Sequence, residues 1–518
     1  MADSPAISAG VSQSSQSTGL PPRELWPTLV RRLPQLQYAP ALNLADELLD
    51  RHIASGHGDR TAIIHGTEAI TYAALRRRTA ALAAALVRRG IRPGDRVVLH
   101  YPNRPDFVVA WLAIQWIGAV GVPIPPNYRR REIEYIVNHA GAGLIVCAPD
   151  LAGNIAAARA GFSSGVDLLH GPFAPESGPV PAVHSGPRDD PALLTYIGSA
   201  DGTLKGVVHS PADLLATADT YARDVLELSP SDVCIGQLSM AWAFGVGGLL
   251  VFPLRVGAST VLLDSSGPPL PAAIAASRAT VLFAAPTMYR LLLRQPDLES
   301  FDLGSLRCAV SAAEPLPAAV VDEWRARTGL EILDGLGTTE LCHIFISARP
   351  GAVRPGLIGT LVAGYDARIV NEQLAELPRG EAGLLVVRGP TGCRYWRDVD
   401  AQCRMVRQGW TLTGDVCIQH GDGWFEHLRR SDDLIVCGGQ KVAPAEVERA
   451  LRDHPDVSEA RVFGVADPVR GAVPHATVSL RHGVEPRGAQ ERLQYFLKRE
   501  LASYKCPREI HTDDSLAL

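Results

Sequence analysis

The sequence predicts a large α/β protein with largely parallel sheets, followed by a β-rich region and a small α+β unit at the carboxyl end. Helical and strand-like segments alternate along most of the 518 residues, a pattern typical of parallel sheets covered by helices. The pattern becomes β-rich from Gly383 and changes again around Asp432. With 46% hydrophobic and 20% charged residues, the composition is that of a globular protein rather than a disordered one.

The amino-terminal elements are predicted from periodicity and from the residues that end each segment. Residues 71–89 form an amphipathic Ala/Leu/Arg pattern that predicts a helix, and the run 96–100 predicts a strand. Residues 111–118 indicate a buried helix that leads to an apolar strand. The stretch 161–191 is rich in Gly, Pro and Ser, so it predicts a linker or surface loop before a strand at 192–196.

The carboxyl-terminal part of the chain is predicted to contain two helices and two strands. Residues 444–451 predict a helix, 459–465 and 476–480 predict strands, and 490–501 predict a second helix. The predicted division of the chain is a flexible tail at 1–20, a large amino-terminal domain at 21–430 and a small carboxyl-terminal domain at 431–518.

Charge and cysteine content exclude several classes of function. Fifty Lys and Arg residues against 55 Asp and Glu give a net charge of −5, which leaves no basic excess for binding nucleic acid. The nine cysteines are scattered and form no CxxC pair, which disfavours a disulfide framework or structural zinc and favours a reducing cytoplasm. The uncharged stretches 107–128 and 238–254 contain Pro and Gly, so we expect buried core elements rather than membrane spans.

Residues 196–206 (YIGSADGTLKG) follow an apolar strand and are rich in Gly, Ser and Thr, with one Lys. Such a loop exposes backbone N–H groups and adds an ammonium, which suits phosphate, although the spacing of a Walker A loop is absent. An ordinary βα turn explains the segment equally well when it is taken alone. His209, just after it, is expected to be structural or to line a pocket rather than to act as a base.

Two further segments suit a nucleotide. Residues 333–340 (LDGLGTTE) form a Gly-rich turn ending in a hydroxyl and a carboxylate, which suits phosphate and Mg²⁺; a helix N-cap at Thr338 or Thr339 is the alternative. In 410–415 (WTLTGD), Asp415 can accept both hydroxyls of a ribose, and the later Arg430 can bridge ribose and phosphate. Each feature taken alone also fits a surface turn or a salt bridge.

In this order, with 311–317 (SAAEPLP) and 504–508 (YKCPR), these segments resemble the motifs of the adenylate-forming superfamily of acyl- and aryl-CoA ligases, carrier-protein adenylation domains and luciferases. The resemblance runs from about Ala41 onward, and 334–347 (DGLGTTELCHIFIS) and 242–245 (WAFG) are most similar to benzoate-type ligases. It implies a large multi-subdomain N-terminal domain and a small mobile C-terminal domain. It also implies two steps: a carboxylate and ATP give acyl-AMP and pyrophosphate, and the CoA thiol then displaces AMP.

The resemblance also implies roles for individual residues. Nucleotide binding would fall to Ser199, Asp201, Gly202, Lys205, Ala312, Ala313, Glu314, Pro315, Asp334, Gly335, Thr339, Asp415 and Arg430. Catalytic roles would fall to Thr339 at the α-phosphate, Glu340 as the Mg²⁺ ligand, Arg430, the hinge residue Asp432 and Gly439. CoA would be bound by Gly438, Gly439, Tyr504, Lys505 and Arg508, and the acyl pocket would be lined by Trp242, Phe244 and His343.

Two departures from the family's pattern affect the adenylation step. The family's phosphate loop reads close to TSGTTGxPKG, whereas 197–206 read IGSADGTLKG, with Asp201 at a position for a hydroxyl-bearing residue. Two unit charges about 4 Å apart at an effective dielectric constant near 20 interact by roughly 4 kcal/mol, so this carboxylate opposes ATP. The family also continues after the YKxPR motif to a Gly-Lys pair used in adenylation; here 513–518 read DDSLAL, and Lys505 is the last lysine.

The sequence therefore predicts a cytoplasmic ligase that transfers an acyl group from acyl-AMP to CoA, with adenylation weak or absent. In this it resembles non-adenylating acyl-CoA ligases of antibiotic biosynthesis, of the platensimycin/platencin type. The expected ligands are AMP or acyl-AMP and CoA, with ATP and Mg²⁺ only where adenylation is retained; a separate ligase would supply the adenylate. Three alternatives stay open: a complete ATP-dependent aryl- or acyl-CoA ligase, acyl transfer to carrier-protein phosphopantetheine, and a non-catalytic nucleotide-binding partner.

Overall fold

The fold is described from a computed structural model that covers residues 19–513, apart from positions 164, 172, 174–178, 265 and 433. The predicted tail at 1–20 lies almost wholly outside the described residues. So do residues 514–518, on which the second departure from the family pattern depends.

The described chain contains strands and helices throughout its length. The strands are β1 Ala41–Leu42, β2 Thr61–His65, β3 Glu68–Thr71, β4 Arg96–His100, β5 Val120–Ile124, β6 Leu144–Cys147, β7 Asp167–His170, β8 Gly186–Pro187, β9 Leu193–Gly198, β10 Leu204–His209, β11 Val233–Gly236, β12 Ser259–Leu262, β13 Val281–Ala284, β14 Cys308–Ser311, β15 Ile332–Gly337, β16 Ile344–Ser347, β17 Thr360–Leu361, β18 Asp366–Val370, β19 Ala382–Arg388, β20 Val406–Arg407, β21 Trp410–Gln419, β22 Phe425–Arg430, β23 Ile435–Cys437, β24 Gln440–Val442, β25 Val457–Asp467, β26 Gly471–Leu480 and β27 Ile510–Thr512. The α-helices are α1 Arg51–Ala54, α2 Tyr72–Arg88, α3 Pro105–Trp116, α4 Arg130–Ala140, α5 Ala152–Ala158, α6 Pro211–Thr217, α7 Ala243–Val246, α8 Phe252–Val256, α9 Leu270–Ser277, α10 Pro286–Leu293, α11 Ala318–Thr328, α12 Val399–Met405, α13 Pro444–Arg452 and α14 Ala489–Glu500, with π-helical segments at Asp46–Asp50, Ala218–Ala222 and Gly247–Val251.

Two sheets with parallel interiors form most of the amino-terminal part. Their strand orders are β10-β9-β5-β4-β6-β7 and β17-β16-β15-β14-β13-β11-β12-β2-β3. Pairing is parallel inside both sheets. The first sheet has an antiparallel edge at β10 and a parallel edge at β7, and the second sheet is antiparallel at both edges. Helices connect successive parallel strands, so the predicted α/β architecture is confirmed.

Two smaller sheets complete the chain. An antiparallel sheet of order β18-β19-β21-β20, with β22 paired to β21, forms the β-rich region. The last sheet has the order β24-β23-β26-β25, with β27 parallel to β26. The chain passes from one sheet to the other between Arg430 and Ile435, next to the domain boundary predicted from the sequence.

Several elements match the sequence patterns that predicted them. Helix α2 begins after Thr71, whose Oγ1 accepts a hydrogen bond from the backbone N–H of Ala74 at 3.2 Å, a normal helix cap. Helix α3 is buried on nearly all sides, as its continuous apolar sequence indicates. Among the described residues, no helix is long and apolar enough to cross a membrane.

Two local predictions were wrong. The stretch 161–191 is not only a loop, because it contributes β7 to the edge of the first sheet and β8 to a short pairing with β1. The phosphate-loop segment is not followed directly by a helix, as a βα turn would be. The residues after it form the buried strand β10, which folds back on β9 with Lys205 opposite Ile197, so the loop 199–203 closes a β-hairpin rather than a βα turn.

Candidate active site

A cavity of about 510 Å³ lies where the second parallel sheet, the antiparallel sheet and the carboxyl-terminal sheet meet; we call it the central cavity. The carboxyl ends of β14 and β15 open into it, which is where parallel sheets usually bind ligands. Its lining includes many of the residues singled out from the sequence, namely Trp242, Phe244, Ala312, Ala313, Glu314, Pro315, Asp334, Gly335, Thr339, His343, Asp415, Arg430 and Gly439.

Asp415 is held rigidly at one end of the central cavity, on β21. Its side chain is buried, and Oδ1 lies 3.1 Å from His427 Nε2 and 3.3 Å from an Arg430 guanidinium nitrogen. Burial works to raise the pKa of Asp415, but the hydrogen bond from His427 and the charge of Arg430 outweigh it and hold this pKa below its ordinary value. The other oxygen, Oδ2, is buried without a hydrogen-bond partner among the described residues. An ionised carboxylate with a spare oxygen suits a ribose diol.

The loop after β14 forms a second wall. Glu314 Oε2 accepts hydrogen bonds from Thr287 Oγ1 at 2.9 Å and from Arg290 at 3.1 Å, while Oε1 is buried and unpartnered within the described chain. Burial raises the pKa of Glu314 above its ordinary value. Ala313 has a φ of +77°, in the left-handed region that residues other than glycine rarely adopt.

The turn after β15 presents Thr339 to the central cavity. Thr338 Oγ1 accepts a hydrogen bond from the backbone N–H of Leu341 at 3.2 Å, which confirms the alternative that Thr338 caps a short helix. His209 Nε2 lies 2.7 Å from the carbonyl oxygen of Thr339. Burial lowers the pKa of His209 to about 3, so the neutral ring donates this hydrogen bond and acts structurally, as expected.

Glu340 lies just beneath this turn and does not line the central cavity itself. It is buried, and its Oε1 accepts a hydrogen bond from the hydroxyl of Tyr395 at 2.9 Å. Its other carboxylate oxygen, Oε2, accepts no hydrogen bond from a described residue. A free carboxylate oxygen next to Thr339 is chemically suited to Mg²⁺, which proteins often hold with one or two carboxylates while phosphates and water supply the rest.

The acyl-pocket candidates Trp242, Phe244 and His343 line the central cavity, and the last two belong to one aromatic cluster. The rings of Phe244 and His343 have centroids 5.6 Å apart, and Phe252 lies 4.5 Å from His343. Burial lowers the pKa of His343 to about 3, so this ring is neutral. Trp242 packs edge-on against Tyr128 at 5.9 Å. Flat, apolar walls of this kind suit an aryl or other hydrophobic acid.

The charged side chains of the hairpin loop 199–203 and of the start of β10 bind one another. Asp201 Oδ1 accepts hydrogen bonds from the backbone N–H and hydroxyl of Thr203, at 2.9 and 2.6 Å. Lys205 Nζ lies 3.0 Å from Asp201 and 2.8 Å from Asp398. Burial works to raise the pKa of Asp201, but these contacts hold it below its ordinary value; burial works to lower the pKa of Lys205, and the two carboxylates raise it. The lysine is therefore charged and already neutralised.

The carboxyl-terminal domain covers the same loop. Gly202 has a φ of +75°, and a Cβ added there would lie 2.5 Å from the backbone nitrogen of Glu446, so only glycine fits beneath helix α13. The guanidinium of Arg449 donates to the carbonyl oxygens of Asp201 and Gly202 at 3.2 and 3.4 Å. The hairpin β23–β24 meanwhile enters the central cavity, where Gly439 approaches Ala313 and Glu314.

Comparison with known proteins agrees with this geometry. Residues 50–396 match the model of the family of AMP-binding enzymes, and residues 446–518 match that of the AMP-binding enzyme C-terminal domain. The chain belongs to the AMP-binding enzyme family. It is 33% identical over 504 residues to a benzoate–CoA ligase of Thauera aromatica, covering 93% of this chain and 94% of that protein.

Solved structures give the same result. The anthranilate CoA ligase AuaEII, in complex with anthranoyl-AMP, superposes with a TM-score of 0.74 at 30% identity, covering 93% of this chain and 95% of that one. The amide bond synthetase McbA of Marinactinospora thermotolerans superposes with a TM-score of 0.83 at 28% identity, covering 91% and 96%. The chain is thus an adenylate-forming enzyme related to aryl-CoA ligases, and its fold of a large and a small domain is the family's.

Some residues singled out from the sequence lie outside the central cavity of this AMP-binding enzyme. Lys505 differs most from expectation. Its side chain is 1% exposed, and its ammonium pairs with Glu446 at 2.7 Å and with Glu132 of α4 at 3.1 Å. It therefore lies in the interface between the domains instead of offering a free charge to CoA. Its contact with CoA stays a prediction. The others that do not line the cavity are Ser199, Asp201, Gly202, Lys205, Glu340, Asp432, Gly438, Tyr504 and Arg508.

The structure also brings in residues that the sequence did not single out. Asp398 pairs with Lys205 from 193 positions away, and Arg449 reaches the hairpin loop from the other domain. His427 fixes Asp415 across the β21–β22 pair, and Lys441 enters the central cavity from β24. A period-2 pattern on β22 could have found His427, because it lies close to Asp415 in the antiparallel register. Nothing in the local sequence marks the other three.

Proposed function

We propose that this AMP-binding enzyme forms acyl-CoA thioesters from acyl adenylates, and that it forms those adenylates from free acid and ATP only weakly. In the thioester step, the thiol sulfur of CoA attacks the acyl carbonyl carbon. A C–S bond forms, the bond from that carbon to the phosphate oxygen breaks, AMP leaves with the electron pair, and the thiol proton passes to solvent.

The observation that carries this proposal is the pairing of Lys205 with both Asp201 and Asp398. One ammonium with two carboxylates gives a local charge of −1 where the family's loop would hold the β- and γ-phosphates of ATP. Because two carboxylates already neutralise Lys205, the lysine adds little to the binding of ATP, and the carboxylate of Asp201 repels the phosphates. Acyl-AMP has no β- or γ-phosphate, so it avoids this repulsion.

The adenylate side of the site supports the second half of the proposal. Asp415, Glu314 and Thr339 line the central cavity, and two of them offer buried oxygens without a partner in the described chain. Arg430 links Asp415 to Asp432, the proposed hinge residue, donating to Asp432 Oδ1 at 3.0 Å. Glu340 would hold a Mg²⁺ ion, whose chemistry is to neutralise phosphate charge during adenylation.

The aromatic cluster around Phe244 and His343 supports a hydrophobic or aryl acid as the acyl group. This agrees with the names of the relatives, which are ligases of benzoate and anthranilate. A separate ligase would supply the adenylate. CoA is the proposed thiol, with carrier-protein phosphopantetheine as the alternative acceptor.

A complete ATP-dependent aryl-CoA ligase is the second candidate. It is favoured by those same relatives, which are CoA ligases, and by the presence of Glu340 and Thr339, which would serve Mg²⁺ and the α-phosphate. The two candidates differ in one measurable respect, the rate of adenylation from free acid.

The test presents synthetic benzoyl-AMP with CoA and measures thioester, then presents benzoate with MgATP and measures acid-dependent ATP–pyrophosphate exchange. We expect thioester from the adenylate at a rate at least 100-fold above the exchange rate. Exchange as fast as thioester formation would replace the proposal with the complete ligase. No thioester with CoA, phosphopantetheine or a carrier protein, across a panel of aryl adenylates, would favour a non-catalytic nucleotide-binding protein.

A further inference from the structure

Lysine is rare in this protein, and its few positions are informative. The 518-residue sequence contains lysine only at positions 205, 441, 498 and 505. Lys205 and Lys505 are buried in ion pairs, and Lys498 is exposed on helix α14. Lys441 lies on β24 and lines the central cavity.

Lys441 differs from the other cations that line this cavity. Arg290 pairs with Glu314, Arg430 pairs with Asp432 and Asp415, and Arg429 donates to the carbonyl oxygen of its neighbour. In the described part of the chain, the ammonium of Lys441 makes no hydrogen bond and no ion pair within 4 Å. A cation that faces a cavity without a partner is available to an anionic ligand.

The surroundings of Lys441 indicate which anion it would meet. Its backbone carbonyl oxygen approaches Gly198, at the end of β9, where an added Cβ would lie 3.4 Å from it. Its charge interacts with Arg430, Glu340, Asp415 and Asp432. Lys441 therefore lies between the proposed ribose site at Asp415 and the start of the hairpin loop, which is the space that the 5′-phosphate of a bound adenylate would occupy.

We propose that Lys441 of the carboxyl-terminal domain binds the phosphate of the acyl adenylate and of the AMP that leaves it. The ammonium donates hydrogen bonds to the phosphate oxygens and stabilises the charge that develops on AMP as the thiol attacks. This inference rests on the proposed thioester step for its kinetic consequence, but its binding consequence does not depend on that step. The role needs the domain arrangement seen here, with the hairpin β23–β24 in the central cavity.

A merely structural role would have a different signature. Arg430 and Lys441 face three carboxylates, so the lysine also reduces an excess of negative charge. If that were its only role, its removal would weaken the binding of adenosine and AMP alike, since both need Asp415 in place. A phosphate-binding role weakens AMP alone.

The test measures the affinity of the full-length protein for AMP and for adenosine, by calorimetry, in wild type, K441A, K441M and K441R. We expect K441A to weaken AMP binding about 10- to 100-fold, the scale of one or two charge-assisted hydrogen bonds, and to change adenosine binding less than twofold. K441R should recover most of the loss. K498A, which removes an exposed lysine, is the matched control and should bind both ligands as wild type does.

Kinetics add a second readout. K441A should slow thioester formation from benzoyl-AMP and CoA at saturating substrate, because the leaving group loses its cation. Equal loss of AMP and adenosine affinity, or unchanged AMP affinity in both K441A and K441M, would overturn the proposal. If wild type makes no thioester at all, the proposed function fails, while the comparison of AMP with adenosine still decides the role of Lys441.

Discussion

The nucleoside end of the central cavity and the hairpin loop 199–203 differ in whether their polar side chains have hydrogen-bond partners within the chain. At the nucleoside end, Asp415 Oδ2, Glu314 Oε1 and Asp334 Oδ1 are buried without a hydrogen-bond partner among the described residues. In the hairpin loop, the carboxylate of Asp201 and the ammonium of Lys205 are bound to each other and to other residues of the chain.

This difference bears on which ligand the protein is prepared to receive. A buried polar atom without a partner costs about 1–3 kcal/mol, so a ligand that supplies the missing hydrogen bond gains affinity from it. A loop whose charges are already satisfied must instead break contacts to accept a phosphate. This contrast is the basis of the proposal that the protein accepts an acyl adenylate more readily than ATP.

The largest effect is expected at the nucleoside end. D415A removes the carboxylate that would accept the ribose hydroxyls, and we expect AMP affinity to fall about 100-fold, or about 2.7 kcal/mol. Calorimetric titration with AMP measures this. The control is D422A, at an exposed turn between β21 and β22, where the carboxylate pairs with Arg354 and accepts a hydrogen bond from the backbone N–H of Trp424. Unchanged AMP affinity in D415A would contradict the assignment of the ribose site.

The next effect concerns His209, which joins the end of the phosphate-loop hairpin to Thr339. The pKa of His209 in the folded protein is about 3, below the ordinary value of 6.5. Below pH 6.5, His209 therefore becomes protonated in the unfolded chain but stays neutral in the folded protein. Stability therefore falls as the pH falls, by about 1.4 kcal/mol between pH 7.5 and 5.5 for this residue. Between pH 7.5 and 5.5, the free energy of unfolding of H209Q should therefore fall by about 1.4 kcal/mol less than that of wild type, as measured by urea unfolding. An unchanged pH dependence would mean that His209 is protonated in the folded protein.

An effect of similar size is expected in the hairpin loop. D201N keeps the side-chain acceptor for Thr203 and removes the charge, and we expect MgATP affinity to rise about tenfold, because partly screened charges at this separation interact by about 1–2 kcal/mol. AMP affinity should not change. The matched control is D302N, where an exposed aspartate makes the same kind of turn by accepting from the backbone N–H of Gly304. Equal MgATP affinity in wild type and D201N would remove the physical basis for weak adenylation.

The smallest effect is expected at Ala313. A non-glycine residue at a φ of +77° is strained by about 1 kcal/mol, and glycine removes this strain. Glycine also increases the conformational entropy of the unfolded chain, which offsets part of the stabilisation. A313G should therefore be more stable by about 0.5 kcal/mol, seen as a higher urea midpoint, with AMP affinity measured alongside. A lower midpoint would show that contacts of the Ala313 methyl group outweigh the backbone strain.

The sequence predicted those parts of the fold that local rules determine. The bounds of β4 were predicted correctly and those of α2, α13 and α14 to within about one residue, because apolar periodicity and capping residues mark them. Strand β10 was missed, because its continuous burial depends on the strand and helix that pack against it. The nucleotide residues came from motif order, but the pairing of Lys205 with Asp398 could not, since no local rule joins residues 193 positions apart.

Lys505 shows a further limit, and its position has a mechanical consequence. Its ammonium and the carboxylate of Glu446 belong to the small domain, whereas Glu132 belongs to helix α4 of the large one. Any rotation that separates the domains leaves Glu132 without its cation, and a buried charge is stable only when it is fully paired or fully hydrated. A released arrangement of the domains would therefore need water or another cation at Glu132, which favours two discrete arrangements over a continuous range between them.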